Sequence, residues 1–119
     1  MQRVFQQTYA IAGALAASHV FHFKAGGDCQ LVHVSLCNES ANAGTLKIGT
    51  AADDDAYLKA EAFGVSSTPA EVSTPAGFDG VEAGGQYPHI ARGGVVKVTI
   101  SDHASHMTAP CVVLTFTEG

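Results

Sequence analysis

Charged residues are scarce in this sequence. Lys, Arg, Asp and Glu make up 14% of the 119 residues, whereas soluble domains average about 25%. Much of the surface is therefore neutral, which suits a protein that is packed against neighbours. Six basic residues stand against eleven acidic ones, for a net charge of -5, and the basic residues are scattered along the chain. We therefore expect no nucleic-acid partner.

Tryptophan and long apolar runs are also missing. A sugar-binding platform without Trp lacks its commonest aromatic residue. No run approaches the roughly 18 apolar residues that cross a bilayer, so we expect no membrane partner. Residues 9–17, after Arg3, have features of a short signal sequence, with Ala14-Leu15-Ala16 as a cleavage site. Because Gln6 and Gln7 interrupt the approach to this stretch, we expect no cleavage.

Cysteine occurs three times, without a CxxC pair, at Cys29, Cys37 and Cys111. Cys29 and Cys37 are expected on one strand, where eight steps of about 3.3 Å each place them beyond disulfide reach. The sequence therefore predicts no disulfide framework. Free, half-buried thiols fit a protein that folds in a reducing cytoplasm.

Turn residues and short alternating runs fill the rest of the chain. The 13 Gly and 4 Pro separate runs of β-branched residues that alternate with period two, as half-buried strands do. The clearest runs are 95–101 and 111–117, separated by a loop at 102–110. Their predicted core residues are Val96, Val98, Ile100, Val112, Leu114 and Phe116. We expect these two runs to form a C-terminal hairpin.

Further strands are predicted along the first half of the chain. Runs 18–24 and 29–38 are expected to form a hairpin through the turn at 25–28. Alternation in the second run places Val32, Val34 and Leu36 on one face. Additional strands are predicted at 45–51 and, from weaker patterns, at 8–13, 70–73 and 87–90. Residues 53–60 fit a short helix or a turn followed by a strand, and we favour a solvated acidic loop.

About eight short antiparallel strands must bury their apolar faces against a second sheet. The sequence therefore predicts an all-β, jelly-roll-like antiparallel β-sandwich with an N-terminal arm. An immunoglobulin-like sandwich or a small barrel would satisfy the same pattern. We divide the chain into an arm at residues 1–17 and a sandwich domain at residues 18–119.

Histidine pairs with HxxH spacing raise the question of a metal site. His19 and His22 would point to opposite faces of a strand, so they could not share one ion. His103 and His106 lie in a loop beside Asp102, where a bent backbone could bring the three together around zinc or a similar metal. An exposed polar loop tip explains them better, and we predict no metal ligands and no cofactor.

Other chemical motifs are weaker still. Asp53, Asp54 and Asp55 lack the alternating ligands of a calcium loop. There is no GxSxG elbow, and the sequence 101–105 contains Ser, Asp and His without the separation that a triad needs. We therefore predict no catalytic residues and no enzymatic activity.

Three short blocks, in this order along the chain, carry a resemblance to a known family. They are Asp55-Ala56-Tyr57-Leu58, Thr68-Pro69-Ala70-Glu71 and the closing Leu114-Thr115-Phe116-Thr117-Glu118-Gly119. With the intervening strands, most of residues 18–119 resembles the small capsid decoration (cement) proteins of tailed phages. The resemblance implies a jelly-roll sandwich on the outer surface of the virion, bound to the major capsid protein, often as a homotrimer, and assembled in the host cytoplasm.

Two other functions are compatible with the pattern. A carbohydrate- or receptor-binding module of a virion fibre would show an exposed aromatic row at one end of the sandwich. A metal-dependent cupin-like enzyme would need His and Glu ligands that converge inside the barrel. The arm, residues 1–17, lies outside the resemblance and is expected to be the main contact with the capsid or with other subunits. Deleting residues 1–12 is expected to leave the sandwich folded.

Overall fold

The computed structural model describes residues 3–78 and 86–118. The regular elements in these residues are β-strands and one short 3-10 turn at Pro75–Gly77. In chain order the strands are β1 (Arg3–Ala10), β2 (His19–Lys24), β3 (Cys29–Cys37), β4 (Thr45–Gly49), β5 (Leu58–Ala62), β6 (Ala70–Val72), β7 (His89–Ile90), β8 (Val95–Ser101) and β9 (Cys111–Glu118). The all-β prediction is confirmed, with nine strands in the described residues where about eight were expected.

The strands form two antiparallel sheets. The β9 sheet has the order β1-β9-β3-β6, with β7 also paired to β3, and the β8 sheet has the order β2-β8-β4-β5. If the two-residue β7 is set aside, the chain winds through eight strands in the order 1-8-3-6 in one sheet and 2-7-4-5 in the other. This is the strand order of a jelly roll.

The core lies between the two sheets. Alternate residues of β8 and β9 supply its centre, as the alternation predicts: Val96, Val98, Ile100, Val112, Leu114 and Phe116 are all fully buried. Because the pleat turns successive side chains to opposite faces, the intervening Lys97, Thr99 and Thr115 lie on the outer faces. The two sheets therefore need no other chain to bury their inner faces.

Both predicted hairpins are wrong. The first would pair β2 with β3, but β2 pairs with β8 and β3 pairs with β9. The second would pair β8 with β9, which also lie in different sheets. Alternation shows which face of a strand is apolar, but it does not show which strand lies beside it. In a jelly roll, these turns carry the chain from one sheet to the other.

The predicted inner face of β3 needs one correction. Leu31, Val34 and Leu36 are fully buried, whereas Val32 is only half-buried. A register shift between Leu31 and His33, where β3 pairs with β9, inserts an extra residue and changes the phase of the alternation. The bulge places Leu31 in the core and turns Val32 away from it.

Residues 3–17 are joined to the sandwich. Strand β1 pairs with β9 along its whole length, from Arg3 opposite Glu118 to Ala10 opposite Cys111. The Leu15 amide donates to the Met107 carbonyl (2.8 Å), and the Leu15 side chain is 1% exposed. The strand predicted at 8–13 thus lies earlier, and the predicted arm is an edge strand followed by a core contact. Met1 and Gln2 of the predicted arm lie outside the described residues.

The acidic stretch after β4 is a turn followed by strand β5, as one of the alternatives predicted, and its three Asp residues are half-buried, whereas a solvated loop was favoured. The Thr50 amide donates to the Asp53 carbonyl (2.7 Å) and folds the chain back. A Cβ atom at Gly49 would lie 2.2 Å from that same carbonyl oxygen, so the turn requires glycine at this position. Within residues 3–78 and 86–118 no helix has the length and apolar character of a membrane span.

Candidate functional site

The loop after β8 brings Asp102 and His106 together. One carboxylate oxygen of Asp102 accepts hydrogen bonds from the amides of His103 (2.8 Å) and Met107 (2.9 Å). The other lies 2.6 Å from Nδ1 of His106. Nδ1 of His103 accepts a hydrogen bond from the Ser105 amide (2.9 Å) instead. The carboxylate therefore organises the loop backbone, and the three side chains do not converge on a common point.

These contacts lower the pKa of Asp102. Burial of the carboxyl acts in the opposite direction, but the hydrogen bonds from His106, Met107 and His103 and the charge of His106 outweigh it. Because the folded-state pKa is below the ordinary value of 3.8, the ionised group stabilises the fold above that pH. The stabilisation is lost as the pH falls through the lowered pKa.

Asp102→Asn tests this contribution. The amide keeps an oxygen for the His103 and Met107 amides but removes the negative charge beside His106. We expect the free energy of unfolding to fall by about 1 kcal/mol at neutral pH. The difference from the unmodified protein should shrink as the pH falls below the ordinary Asp value. Urea unfolding at a series of pH values measures this, and a difference that is constant with pH would contradict it.

Asn38, which sequence reasoning missed, lies beneath the same loop. It is 1% exposed, and its amide nitrogen donates to the carbonyls of Asn42 (3.1 Å) and Gly64 (2.9 Å). Its side-chain oxygen accepts hydrogen bonds from the Ser40 amide (2.9 Å) and hydroxyl (2.5 Å). Asn38 therefore holds several loops together at one end of the sandwich.

Among the residues that the structure describes, one group of three or more His, Cys, Asp or Glu side chains has ligand atoms close enough together to hold a metal ion. This group is the acidic turn after β4. Oxygen atoms of Asp53, Asp54 and Asp55 lie within 4.8 Å of one another. A side-chain hydrogen bond with Asp53 raises the pKa of Asp55, and burial adds to the shift. Lys47 lies 4.0 Å from Asp54. The positive charge of Lys47 thus offsets part of the negative charge of the three carboxylates.

The predicted histidine geometry on β2 is confirmed. His19 lies opposite the buried Ile100, and His22 lies opposite the outward-facing Lys97. Opposite residues of an antiparallel pair share a face. The two imidazoles therefore point to opposite faces of the β8 sheet.

Aromatic rings line the side of the sandwich where β1 and β2 are the outermost strands, which we call the open edge. Phe5 stacks on Phe116 (ring centroids 4.9 Å apart), and Tyr9 stacks on Phe21 (4.7 Å). A cavity of about 400 Å³ opens here, lined in part by Phe5, Phe23 and Glu118. Half-buried rings thus fill part of the gap between the two sheets, and the cavity lies beside them.

Exposed valines occur around the same edge. Val4 is 67% exposed, Val20 48% and Val95 40%, and they lie on β1, β2 and the adjoining β8. Strand β1 has eight residues, and its one charged side chain, Arg3, is 3.1 Å from Glu118. Long edge strands without bulges or free charges are templates for further pairing.

The opposite edges of the two sheets differ from the open edge. Strand β6 has three residues and carries the exposed Glu71. Strand β5 carries the exposed Lys59, and its pairing with β4 is interrupted by a register shift. Short strands, charges and bulges are the features by which proteins protect sheet edges. In the described part of the chain, the open edge is therefore the better surface for contact.

Comparison with known proteins shows which solved structures share the fold of this chain. No protein-family model and no curated protein matches this sequence. A chain of the solved "Cyanophage Pam1 capsid asymmetric unit" is similar, with a TM-score of 0.55 and 17% identity over 99% of this chain and 85% of that chain. The chain has a viral capsid-like β fold. At this identity the likeness extends to the fold alone.

Two other solved structures show weaker likeness. The Yersinia pseudotuberculosis-derived mitogen matches with a TM-score of 0.45 and 12% identity, over 97% of this chain and 86% of that one. The extra small virus particle of the prawn Macrobrachium rosenbergii matches with a TM-score of 0.43 and 8% identity, over 99% and 80%. A jelly roll is used by proteins with unrelated functions, so function has to be argued from surfaces and side chains.

Proposed function

We propose that this chain is a virion structural protein that decorates the outer surface of a tailed-phage capsid and stabilises it by binding the major capsid protein. The fold shared with a chain of the cyanophage Pam1 capsid supports a virion role. The sequence blocks that resemble decoration proteins support the outer surface. The free cysteines are compatible with assembly in the reducing cytoplasm of the host.

The open edge is the observation that carries this proposal. It combines an eight-residue edge strand, half-buried aromatic rings and three exposed valines. Such an edge suits neutral, shape-complementary contact with a neighbouring protein. In a homotrimer on a shell, each weak contact becomes effectively intramolecular once the neighbouring contacts are made. Many copies of a modest interface would thereby stabilise the capsid.

The proposal assigns no catalytic residue, metal or cofactor to the chain. In the loop after β8, the side-chain oxygens of Asp102 are occupied by His106 and by backbone amides. These bonds fix a loop and do not present a nucleophile beside a base. We also propose no nucleic-acid or membrane partner, because the basic residues form no cluster along the chain.

A carbohydrate- or receptor-binding module of a virion fibre is the alternative. Such a module would use aromatic rings at one end of the sandwich to stack on sugars. The rings of Phe5, Tyr9 and Phe21 are half-buried and already stacked within the protein, Phe5 on the buried Phe116 and Tyr9 on Phe21. A glycan array that gave specific binding would favour this alternative over a capsid partner.

Capsids that lack the protein should be less stable than decorated capsids. We expect undecorated heads of the virus that encodes this chain to release their genome at a lower temperature, and added protein to restore the higher temperature. Genome release can be followed with a DNA-binding dye during heating. Equal release temperatures with and without the protein would contradict the stabilising role.

A matched pair of variants tests the open edge. Val4→Lys adds a charge to the most exposed of its valines, while Ala60→Lys adds the same charge to the exposed face of β5 at the opposite edge. We expect Val4→Lys to bind heads at least about tenfold more weakly, because desolvating an unpaired charge opposes binding. Ala60→Lys should bind normally. Equal binding of the two variants would place the contact elsewhere.

A further inference from the structure

Two of the three cysteines lie side by side. Cys37 on β3 is directly opposite Cys111 on β9. Their chain neighbours Leu36 and Val112 are fully buried, so both thiols lie on the outer face of the β9 sheet. Both residues are half-buried, and both are free thiols. Cys29, the third, is buried at the other end of β3.

The backbone hydrogen bonds define the geometry of this pair. The Leu36 carbonyl accepts a hydrogen bond from the Gly64 amide (3.1 Å), and the Asn38 amide donates to the Gly64 carbonyl (2.9 Å). The backbone groups of Leu36 and Asn38 therefore point away from β9, and those of Cys37 point toward it. Such hydrogen-bonded pairs have Cα atoms about 5.5 Å apart, within the 4.4–6.8 Å range of disulfides.

A small reagent can reach the pair from the outer face. Ala10 lies opposite Cys111 on the β1 side, and Gly64 lies beside Cys37 on the other side. The row across the sheet is thus alanine, cysteine, cysteine and glycine. Neither flanking residue has a side chain large enough to cover the thiols.

We propose that Cys37 and Cys111 are a covalent modification site, at which a small disulfide such as oxidised glutathione converts the two thiols into a cross-strand disulfide. One thiolate attacks the small disulfide, forms a mixed disulfide and releases one small thiol. The second cysteine, as its thiolate, attacks the protein sulfur of the mixed disulfide and releases the second small thiol. The protein loses two electrons and two protons, and the small disulfide gains them.

The surroundings of Cys37 slow its own attack on the small disulfide. Burial raises the pKa of Cys37, and the nearby Cys111 and Glu39 add to the shift. A raised pKa leaves less Cys37 thiolate to attack. Whichever cysteine forms the mixed disulfide, the other then closes the bond.

The resulting bond is reversible. Opposite Cβ atoms in a sheet are about 4.5–5.5 Å apart, whereas disulfide-bonded ones average about 3.8 Å. Closure must draw β3 and β9 together, and strained disulfides are more easily reduced. The thiols therefore persist in a reducing cytoplasm and become linked in an oxidising medium. This inference does not depend on the proposed capsid role.

Reaction of the reduced, full-length protein with oxidised glutathione tests the proposal. The matched variants are Cys29→Ser, which keeps the proposed pair, and Cys37→Ser, which keeps two cysteines that are far apart. Intact-mass spectrometry should show that the unmodified protein and Cys29→Ser each lose two hydrogens. Cys37→Ser should instead carry a glutathione adduct and no cross-link. The linked protein should unfold at a temperature higher by roughly 5 °C or more, and reduced glutathione should reverse the change.

Several results would overturn the proposal. The proposal is wrong if Cys29→Ser remains reduced or if it gains a glutathione on each of its cysteines. It is also wrong if Cys29→Ser forms dimers that a reducing gel converts to monomers. Cross-linking of Cys37→Ser to the same extent as Cys29→Ser would also reject the assignment, because it would show that proximity of Cys37 and Cys111 is not required.

Discussion

Asn38→Ala should lower the free energy of unfolding by about 3–4 kcal/mol. The substitution removes one donor from each of the Gly64 and Asn42 carbonyls, and it removes the acceptor of the Ser40 amide and hydroxyl. Loss of a partner from a buried polar group costs about 1–3 kcal/mol for each group, and partial relaxation of the loops reduces the sum. Chemical denaturation of the purified variant measures the loss.

Asn42→Ala is the matched control for this prediction. Asn42 is of the same residue type and lies in the same group of loops, but it is half-buried. Its amide nitrogen donates to the carbonyls of Ser105 (3.1 Å) and His106 (3.2 Å), which lie in an exposed loop. Water can replace those bonds, so the loss should be about 1 kcal/mol or less. If the two variants lose the same stability, Asn38 does not have the organising role that its burial and hydrogen bonds indicate.

Asn38 also illustrates what a sequence pattern cannot show. In the sequence it ends an apolar run and precedes polar residues, which predicts an ordinary loop asparagine. Its burial arises because two segments that are distant in sequence, around Gly64 and Thr108, meet beside it and beside its own loop at Asn42. Hydrogen bonds between distant segments leave no local periodicity, so no window of the sequence contains the signal.

The core faces were predictable for the opposite reason. Val96, Val98 and Ile100 alternate within a single strand, and burial of one face of a strand is a local property of its sequence. Strand pairing is not local. The predicted hairpins failed because the turns after β2 and β8 are equally compatible with a return within one sheet and with a crossing to the other. The bulge at Leu31 was likewise invisible, since it depends on the partner strand β9.

The proximity of Cys37 and Cys111 also depends on strand pairing. Spacing along β3 correctly separates Cys29 from Cys37, because both lie on one strand. Nothing local relates Cys37 to Cys111, which becomes its neighbour only when β9 pairs with β3. The candidate modification site could therefore be found only from the topology of the sheet. The expectation of free thiols rested on the missing CxxC pair and on the spacing of Cys29 and Cys37, neither of which concerns Cys111.

Deleting residues 1–12 should destabilise the domain by at least about 5 kcal/mol, in contrast to the expectation from sequence that it would remain folded. The deletion removes β1 and makes β9 an edge strand along eight residues. It also uncovers Phe116, which is fully buried and against which Phe5 stacks. Lost ring burial of about 1.5–3 kcal/mol per aromatic residue adds to the lost strand hydrogen bonds. Marginally stable domains have only about 5–15 kcal/mol in total, so much of the truncated protein should be unfolded or aggregated.

Circular dichroism, thermal unfolding and size-exclusion chromatography of the truncated protein measure this effect, with deletion of Met1 and Gln2 alone as the control.

A synthetic peptide of residues 1–12 provides the sharper test. Because β9 would offer an unpaired edge and an empty place for Phe5, the added peptide should restore the folded signal by adding a strand. A peptide with Phe5→Ser should restore it less well, since the stacking on Phe116 is lost. A truncated protein that folds without peptide and binds capsids normally would show that β1 is dispensable for both folding and contact. A truncated protein that folds but no longer binds capsids would instead restore the original interpretation of residues 1–17 as a contact arm.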